Sequence, residues 1–335
     1  MKLSIIIPVY NTEKYIEQCI KSVLALKGIE KEIIVINDGS TDKSLCILEK
    51  YEKEYKEIRV ILQENQGASA ARNEGIKASG GDYIYFLDSD DWIESESFEK
   101  VVKDIEKEYE NNQEIDIVVG KERAYSEFTK TGSLDERIPR ELKGKVISGK
   151  EYMIRSINDK FWNVRLPIYL YRRKLITDNG ILFPEGRRSN EDEVFSIDIF
   201  RYGKKLKIVD EIFGYYRARE GSIMSVLNIR HAEDIFRNAK ELLEKYKNEE
   251  DYEMKKIIFY MIKRYYKSSM KKSIQCGRKD IFEKIYKEFK KDCKKYLFRI
   301  KEKSYENIEL YIIYYTKDMI FSIKENLKKY RKGRK

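Results

Sequence analysis

The chain has 335 residues, of which 41% are hydrophobic and 38% are charged. A hydrophobic fraction of that size supports a packed core and excludes an intrinsically disordered chain. The net charge of +10 is uneven, because residues 231–335 hold 30 Lys and Arg against 17 Asp and Glu, whereas residues 1–230 are close to neutral. The basic last third predicts a surface that meets an anionic partner.

The first part of the chain alternates short apolar runs with helical periodicity. The apolar runs predict strands at residues 3–9, 32–37, 58–62 and 83–87, and the segments between them predict helices at 12–26, 41–55 and 67–78. This alternation is typical of an α/β fold in which helices flank a mostly parallel sheet. The first run is too short for a signal sequence, and no later run is long enough to span a bilayer.

The rest of the chain has two parts with different patterns. Residues 95–230 predict a helix near 98–105, strands at 115–119 and 124–128, a polar loop over 132–144 and a helix over 190–200. From residue 231 onward the apolar pattern is helical, which predicts an α-helical C-terminal region. The four cysteines form neither a CxxC pair nor a zinc-ligand spacing, which favours a reducing cytoplasm.

Polar side chains stand where the predicted strands end. Tyr10 and Asn11 follow the first strand, Asp38 follows the second, and Asp88 and Asp90 follow the fourth. In parallel α/β sheets ligands bind at the carboxyl ends of the strands. The sequence therefore predicts a ligand site at this edge.

The acidic cluster of Asp88, Ser89, Asp90 and Asp91 concentrates like charges at one strand end. A divalent cation such as Mg²⁺ or Mn²⁺ would relieve this repulsion and would leave coordination positions for phosphate oxygens. A solvated acidic turn that caps the following helix is the alternative, and the motif alone leaves both open.

Another motif runs over residues 65–75. Gly67 and the alanines after it allow the backbone to approach a ligand or another helix, and Arg72 can pair with phosphate or with the acidic cluster. Tight packing of a helix on the sheet explains the same small residues. Neither GxGxxG nor GKS/T occurs, so a dinucleotide fold and an NTP-hydrolysing phosphate loop have no support.

Four motifs in this order resemble those of family 2 glycosyltransferases with the GT-A fold. They are Ile7-Pro-Val-Tyr-Asn11, Asn37-Asp-Gly-Ser40, Asn65-Gln-Gly…Ala-Arg-Asn73 and Leu87-Asp-Ser-Asp-Asp91. Weaker likenesses follow at 161–175, 190–193 and 215–223. The resemblance implies a catalytic domain over 1–228, with a nucleotide-sugar half to about 120 and an acceptor half after it. The shift in composition near residue 230 predicts a separate basic helical domain over 229–335.

The resemblance also implies the roles of individual residues. Those expected to bind the nucleotide-sugar are Pro8, Val9, Tyr10, Asn11, Asp38, Gly67, Arg72, Asp88 and Ser89. Asp90 and Asp88 would hold Mn²⁺ or Mg²⁺, and Asp192 would be the catalytic base with Glu191 beside it. Positions expected on the acceptor side are Trp92, Trp162 and Arg219. The alternative for the acids at 191–193 is a helix N-terminus that favours negative charge.

The implied reaction moves one sugar, with inversion, from a UDP-sugar to a glycan or lipid-linked acceptor in the synthesis of capsule, lipopolysaccharide or another surface polysaccharide. Single addition is favoured because the Gln-x-x-Arg-Trp motif and the membrane spans of processive members do not occur. Two alternatives remain open, which are a nucleotidyltransferase-like enzyme and a non-catalytic scaffold that works through its basic tail.

The basic tail is densest at residues 261–300, which hold 14 Lys and Arg against 4 Asp and Glu. Such a surface can rest on an anionic membrane, which would place a cytoplasmic protein on the inner face of the cell membrane. A helical bundle with a solvated lysine-rich face, including one that forms a homodimer, is the alternative. No nucleic-acid-binding signature occurs, so no nucleic acid partner is expected.

Overall fold

The described part of the chain forms two compact units. The computed structural model describes residues 1–129, 131–134, 136–218 and 228–295. Within these residues, the first unit comprises 1–187 and 191–218, and the second comprises 188–190 and 228–295.

Over the described residues, the first unit contains a ten-stranded sheet. Its strands are β1 (Lys2–Val9), β2 (Glu30–Asp38), β3 (Ile58–Gln63), β4 (Tyr83–Phe86), β5 (Trp92–Ile93), β6 (Ile117–Ser126), β7 (Gly132–Leu134), β8 (Val146–Ile147), β9 (Tyr169–Arg172) and β10 (Leu206–Ala218). The order is β3-β2-β1-β4-β9-β6-β10-β5, with β7 on β6 and β8 on β10.

The helices of the first unit lie between these strands along the chain. They are α1 (Ile16–Leu24), α2 (Ser44–Glu54), α3 (Ala68–Ala78), α4 (Ser95–Glu110), α5 (Gly149–Asn158), α6 (Arg173–Asp178) and α7 (Glu191–Tyr202). Single 3₁₀ turns occur at Arg140–Leu142 and Leu166–Ile168. The predicted α/β fold with a mostly parallel sheet flanked by helices is confirmed.

Strands β1 to β4 are parallel to one another, and β1, β2 and β4 are buried on both faces over most of their length, whereas β3 lies at the edge. β1 pairs with both β2 and β4, and Ile5, Ile6 and Ile7 in β1 are fully buried. Strands buried on both faces must be apolar throughout, which is why the sequence shows continuous runs there and no alternation.

Helix α3 packs unusually close to the sheet. A Cβ atom at Gly75 would lie 2.3 Å from Cγ2 of Ile6, so only glycine allows this approach. The close packing brings the first turns of α3 to the carboxyl ends of β1 and β4.

The second half of this unit differs from the sequence prediction. The two strands expected at 115–119 and 124–128 are one continuous strand, β6. The polar loop expected over 132–144 contains β7 and a 3₁₀ turn. β9 enters the sheet between β4 and β6 and is antiparallel to both. Side-chain periodicity cannot reveal such insertions, because they depend on pairing between distant segments.

The second unit is helical over its described residues, with α8 (Ile229–Tyr246), α9 (Tyr252–Gln275) and α10 (Lys279–Lys295). Asp292 in α10 accepts hydrogen bonds from Tyr266 of α9 and from Lys240 of α8, the latter at 2.8 Å, so one buried carboxylate joins three helices. None of the described helices is long and apolar enough to cross a membrane.

Residues 188–190 also belong to the second unit, although they immediately precede α7 along the chain. The backbone N–H of Arg188 donates to Asp234 at 3.0 Å, and the Asn238 amide donates to the carbonyl of Ser189 at 2.9 Å. The Asp234 and Asn238 side chains both come from α8, and both are fully buried.

Candidate active site

Two loops at the ends of β1 and β2 hold each other in place. Asn11, with a φ of 52°, accepts a hydrogen bond at Oδ1 from the Thr41 N–H at 2.8 Å. In return, Ser40 Oγ accepts from the Asn11 N–H at 3.1 Å, and Ser44 Oγ accepts from the Thr12 N–H at 3.0 Å. These reciprocal hydrogen bonds hold the two loops together. The Tyr10 ring projects from their surface and is half exposed to solvent.

The neighbouring predicted positions in β1 differ in exposure. Val9 is buried in the core, whereas Pro8 is only partly buried. The buried Val9 at the end of β1 therefore anchors the Tyr10 loop to the core.

Asp38, at the end of β2, shapes the loop that leads into α3. Its Oδ1 accepts from the Gln63 amide at 2.7 Å and from the Gln66 N–H at 2.8 Å, and its Oδ2 accepts from the Gly67 N–H at 2.8 Å. Gly67 has a φ of 93°, which favours glycine. The role that the family resemblance implies for Asp38, binding of the nucleotide-sugar, stays a prediction.

The acidic loop after β4 is ordered by its buried member, Asp91. Asp91 Oδ1 accepts the backbone N–H of Arg217 at 2.8 Å. Burial raises the pKa of Asp91 well above its usual range, and the charges of Asp88 and Asp90 raise it further. Ser89 is buried, whereas Asp88 and Asp90 are only partly buried. Those two carboxylates are therefore the accessible ones in this loop.

Arg72, near the start of α3, joins two acidic segments that are distant in sequence. Its Nη2 lies 2.8 Å from Asp88 Oδ1, and its Nη1 lies 3.4 Å from Glu191 Oε1. The arginine is 7% exposed, so the guanidinium is shielded from water, whereas the Asp88 side chain is 37% exposed. One guanidinium thus brings the β4 loop and the start of α7 to the same place.

The next residue, Asn73, fixes the chain that precedes α7. Its side chain accepts from the Phe183 N–H at 2.8 Å and donates to the Phe183 carbonyl at 2.9 Å. Phe183 in turn stacks on Phe195 of α7, with ring centroids 3.9 Å apart. α3 therefore positions α7 through packing as well as through charge.

The first turn of α7 carries Glu191, Asp192 and Glu193. Asp192 Oδ1 accepts the Glu193 N–H at 2.8 Å, and Glu193 accepts the indole N–H of Trp162 at 2.7 Å. Burial raises the pKa of Asp192 to about 8, and the neighbouring charges of Glu191 and Glu193 add to this rise. A carboxyl group with this pKa can exchange a proton near neutral pH.

The predicted acceptor-side residues lie in different surroundings. Trp92 stacks on Tyr215 with centroids 5.0 Å apart, and Trp162 contacts Phe200 of α7 edge-on at 5.5 Å. Arg219 lies outside the described residues. Contact of Trp92 or Trp162 with an acceptor stays a prediction.

Arg217, at the end of β10, was not among the predicted site residues. Its Nε donates to the Asp90 carbonyl at 2.9 Å, beside the backbone bond to Asp91. A signal was present in the sequence, because Arg217 belongs to one of the family-like segments. Its importance depends on β10 lying near the β4 loop, which the sequence does not reveal.

The accessible carboxylates fit a divalent cation. Within the described ranges no three His, Cys, Asp or Glu residues are arranged to hold a metal. Mg²⁺ is commonly bound by one or two carboxylates, with water and substrate phosphates as the other ligands. Asp88 and Asp90 meet this requirement, because both carboxylates are partly exposed and lie two residues apart on the same loop.

Comparison with known proteins agrees with this geometry. The sequence profile described as glycosyl transferase family 2 matches residues 4–177. The chain belongs to this family. It is 36% identical over 229 residues to a protein described as the uncharacterized glycosyltransferase EpsJ of Bacillus subtilis, covering 67% of this chain and 63% of that protein.

A second relative is TarS of Staphylococcus aureus, named a poly(ribitol-phosphate) β-N-acetylglucosaminyltransferase. The sequences are 30% identical over 232 residues, covering 67% of this chain and 37% of TarS. The family 2 chain thus spans about a third of TarS and under two thirds of EpsJ.

Solved structures share the fold. TarS 1–349 in complex with UDP has a TM-score of 0.58 and 24% identity, covering 80% of this chain and 72% of that one. The mannosyltransferase PcManGT of Pyrobaculum calidifontis, solved with GDP-Man and Mn²⁺, has a TM-score of 0.51 and 12% identity, covering 96% and 86%. The first unit therefore has the GT-A fold.

Proposed function

We propose that this protein transfers a single sugar, with inversion, from a UDP-sugar to a glycan or lipid-linked acceptor in surface polysaccharide synthesis. The observation that carries the proposal is the Arg72 bridge, because it joins the β4 loop to the start of α7. A donor site and a base must lie together for transfer, and this bridge brings their candidates together.

The nucleotide would bind at the surface formed by the loop of Tyr10 and the loop of Ser40. The exposed Tyr10 ring offers a surface for a base. The TarS complexes with UDP and with UDP-GlcNAc support a UDP-sugar, and the name of TarS supports a surface polymer as the destination.

Asp88 and Asp90 would hold Mn²⁺ or Mg²⁺. When bound, the metal would neutralise charge that develops on the departing diphosphate. The Mn²⁺ in the PcManGT structure supports a metal in this fold. Arg72 would orient Asp88 from the buried side.

Asp192 would act as the base. The acceptor hydroxyl oxygen forms a bond to the anomeric carbon while the bond from that carbon to the diphosphate breaks, and the hydroxyl proton passes to the Asp192 carboxylate. The Trp162 bond to Glu193 holds the first turn of α7 during this step. UDP and the glycosylated acceptor are the products.

A donor screen tests the proposal. We would incubate the full chain with Mn²⁺ and a panel of UDP-sugars and measure UDP release, with and without a glycan extract as acceptor. We expect one donor to give acceptor-dependent release. Failure of every donor to bind or release UDP would contradict the proposal and would leave the scaffold alternative.

We also propose that residues 1–228 form the catalytic domain, while the basic domain 229–335 docks on an anionic membrane from the cytoplasm. The excess of Lys and Arg after residue 230 supports docking. Co-sedimentation with phosphatidylserine vesicles should be strong at low salt and weak at high salt, with phosphatidylcholine vesicles as the control. Equal sedimentation with both lipids would exclude docking by charge.

A further inference from the structure

Arg217 is a buried cation with an unusually complete set of partners. Besides the Asp90 carbonyl, its guanidinium donates to Gln18 Oε1 at 2.5 Å and to Glu127 Oε1 at 3.1 Å. The side chain is 8% exposed. A buried arginine with three directed hydrogen bonds is held in one orientation, because its planar fork cannot rotate without losing them.

Aromatic rings enclose the same guanidinium. Its central carbon lies 4.6 Å from the ring centroid of Trp92 and 5.0 Å from that of Tyr15. Tyr15 precedes α1 and Trp92 begins β5, so the arginine rests on two elements that flank the acidic loop. Cation–π contacts of this kind add to the fixed orientation of the side chain.

Two consecutive residues of the acidic loop are anchored to this one arginine. The guanidinium binds the carbonyl of Asp90, and the backbone N–H binds the carboxylate of Asp91. Holding the backbone carbonyl of Asp90 and the side chain of Asp91 in place limits the directions in which the Asp90 side chain can point. The remaining guanidinium bonds go to Gln18 and Glu127, so the group is already occupied within the protein.

We propose that Arg217 is a positioning residue that orients Asp90 toward the metal and diphosphate. This inference rests on the proposed function, because it takes Asp90 as a metal ligand. Residues that orient a metal ligand from behind change metal affinity by about 10- to 100-fold when they are replaced. A residue that served only the stability of the fold would not act selectively on the metal.

The experiment compares UDP binding with and without metal. Arg217→Lys keeps the charge but loses the fork, so it cannot reach all three acceptors at once. By titration calorimetry we expect Arg217→Lys to weaken UDP binding in Mn²⁺ by about 10-fold or more, and to change UDP binding in EDTA by less than about 3-fold.

The matched control is Arg172→Lys. Arg172 also forms ion pairs with two carboxylates, those of Glu114 and Asp116. In the sheet it lies opposite Tyr83 at the start of β4, whereas the acidic loop follows the other end of β4. We expect this control to lower the melting temperature to a similar degree and to leave the binding of UDP with Mn²⁺ unchanged.

A milder variant covers the case in which Arg217→Lys does not fold. Glu127→Gln removes one charged partner of the guanidinium and keeps the shape of the side chain. It should weaken the binding of UDP with Mn²⁺ by about 3-fold, again without an effect in EDTA, because one charged hydrogen bond becomes a neutral one and two others remain.

Three outcomes would overturn the inference. Unchanged binding of UDP with Mn²⁺ in a folded Arg217→Lys or Glu127→Gln would show that Arg217 does not orient Asp90. Equal weakening with Mn²⁺ and EDTA would indicate general damage to the pocket. Failure of the unaltered protein to bind UDP more tightly with Mn²⁺ would overturn the proposed metal site itself, and Asp90→Ala measured alongside tells these cases apart.

Discussion

The two acidic segments of the site have similar sequences but different surroundings. Asp88–Asp91 follows a buried strand, whereas Glu191–Glu193 begins a helix. Each has one carboxylate whose pKa is raised by burial first and then by its neighbours, Asp91 in the loop and Asp192 in the helix. In the loop this carboxylate is tied to the Arg217 N–H, and in the helix it bonds to the next N–H along the chain.

Members of one acidic cluster therefore take different tasks according to the groups that each carboxylate contacts. In the loop the buried Asp91 accepts a backbone N–H, and the partly exposed Asp88 and Asp90 are the proposed cation ligands. In the helix Glu191 and Glu193 are tied to Arg72 and Trp162, and Asp192 keeps the raised pKa that suits proton transfer.

Asp90→Ala should have the largest effect. Removing a metal ligand deletes charge stabilisation of several kcal/mol, so we expect transfer to fall by about 1,000-fold. UDP release under saturating Mn²⁺ measures this, and UDP binding in EDTA serves as the control. Full activity in this variant would remove Asp90 from the metal site.

Asp192→Asn should be nearly as damaging to transfer but harmless to donor binding. A general base contributes about 10²- to 10⁴-fold, and asparagine cannot accept the proton. We expect kcat to fall near the lower end of that range, by about 100-fold, while the affinity for UDP with Mn²⁺ changes by less than about 2-fold. Unchanged transfer would show that another group takes the proton.

The pH dependence of the same residue gives an independent test. As a base, Asp192 must be ionised, so kcat/KM should rise with pH and level off above the pKa of about 8. The pKa is raised in the folded protein, so the stabilisation from this group is full below the unfolded value of about 3.9 and is lost as pH rises through about 8.

Thermal unfolding without substrate checks the sign of that effect. The melting temperature of Asp192→Asn relative to the unaltered protein should be lowest near pH 4 and should rise by a few degrees up to about pH 8, then stay constant. A difference between the two proteins that does not vary with pH would contradict the raised pKa.

Trp162→Phe should have a moderate effect. It keeps the aromatic packing on Phe200 and removes the hydrogen bond to Glu193. We expect kcat to fall by about 3- to 10-fold. The lost hydrogen bond stabilises the first turn of α7 by about 1.5–3 kcal/mol, and only part of that loss should raise the barrier to transfer. A rise in the donor KM with unchanged kcat would place Trp162 in donor binding instead.

Asp91→Asn should have the smallest effect of these. The raised pKa of Asp91 favours its neutral form, and an asparagine oxygen can still accept the Arg217 N–H. We expect UDP affinity with Mn²⁺ to change by less than about 3-fold, against the large loss in Asp90→Ala. A loss as large as that of Asp90→Ala would show that the two carboxylates share one task.

The sequence by itself determined the first half of the sheet and its edge. Four continuous apolar runs alternating with amphipathic helices predict parallel strands, because strands buried on both faces must be apolar throughout. Since the carboxyl ends of such strands share one edge, Tyr10, Asp38 and Asp88 could be expected to lie near each other. The four motifs in that region were also enough to suggest the family.

Only the tertiary structure decided how the distant segments join that edge. The strand β9 and the pairing of Arg72 with Glu191, 119 residues away, depend on contacts between remote parts of the chain that no local pattern records. The same holds for Arg217, whose partners Gln18, Asp90 and Glu127 come from three different segments. Periodicity reports which side of an element is buried, but partners across the fold are set by packing and by the need of buried charges for counter-charges.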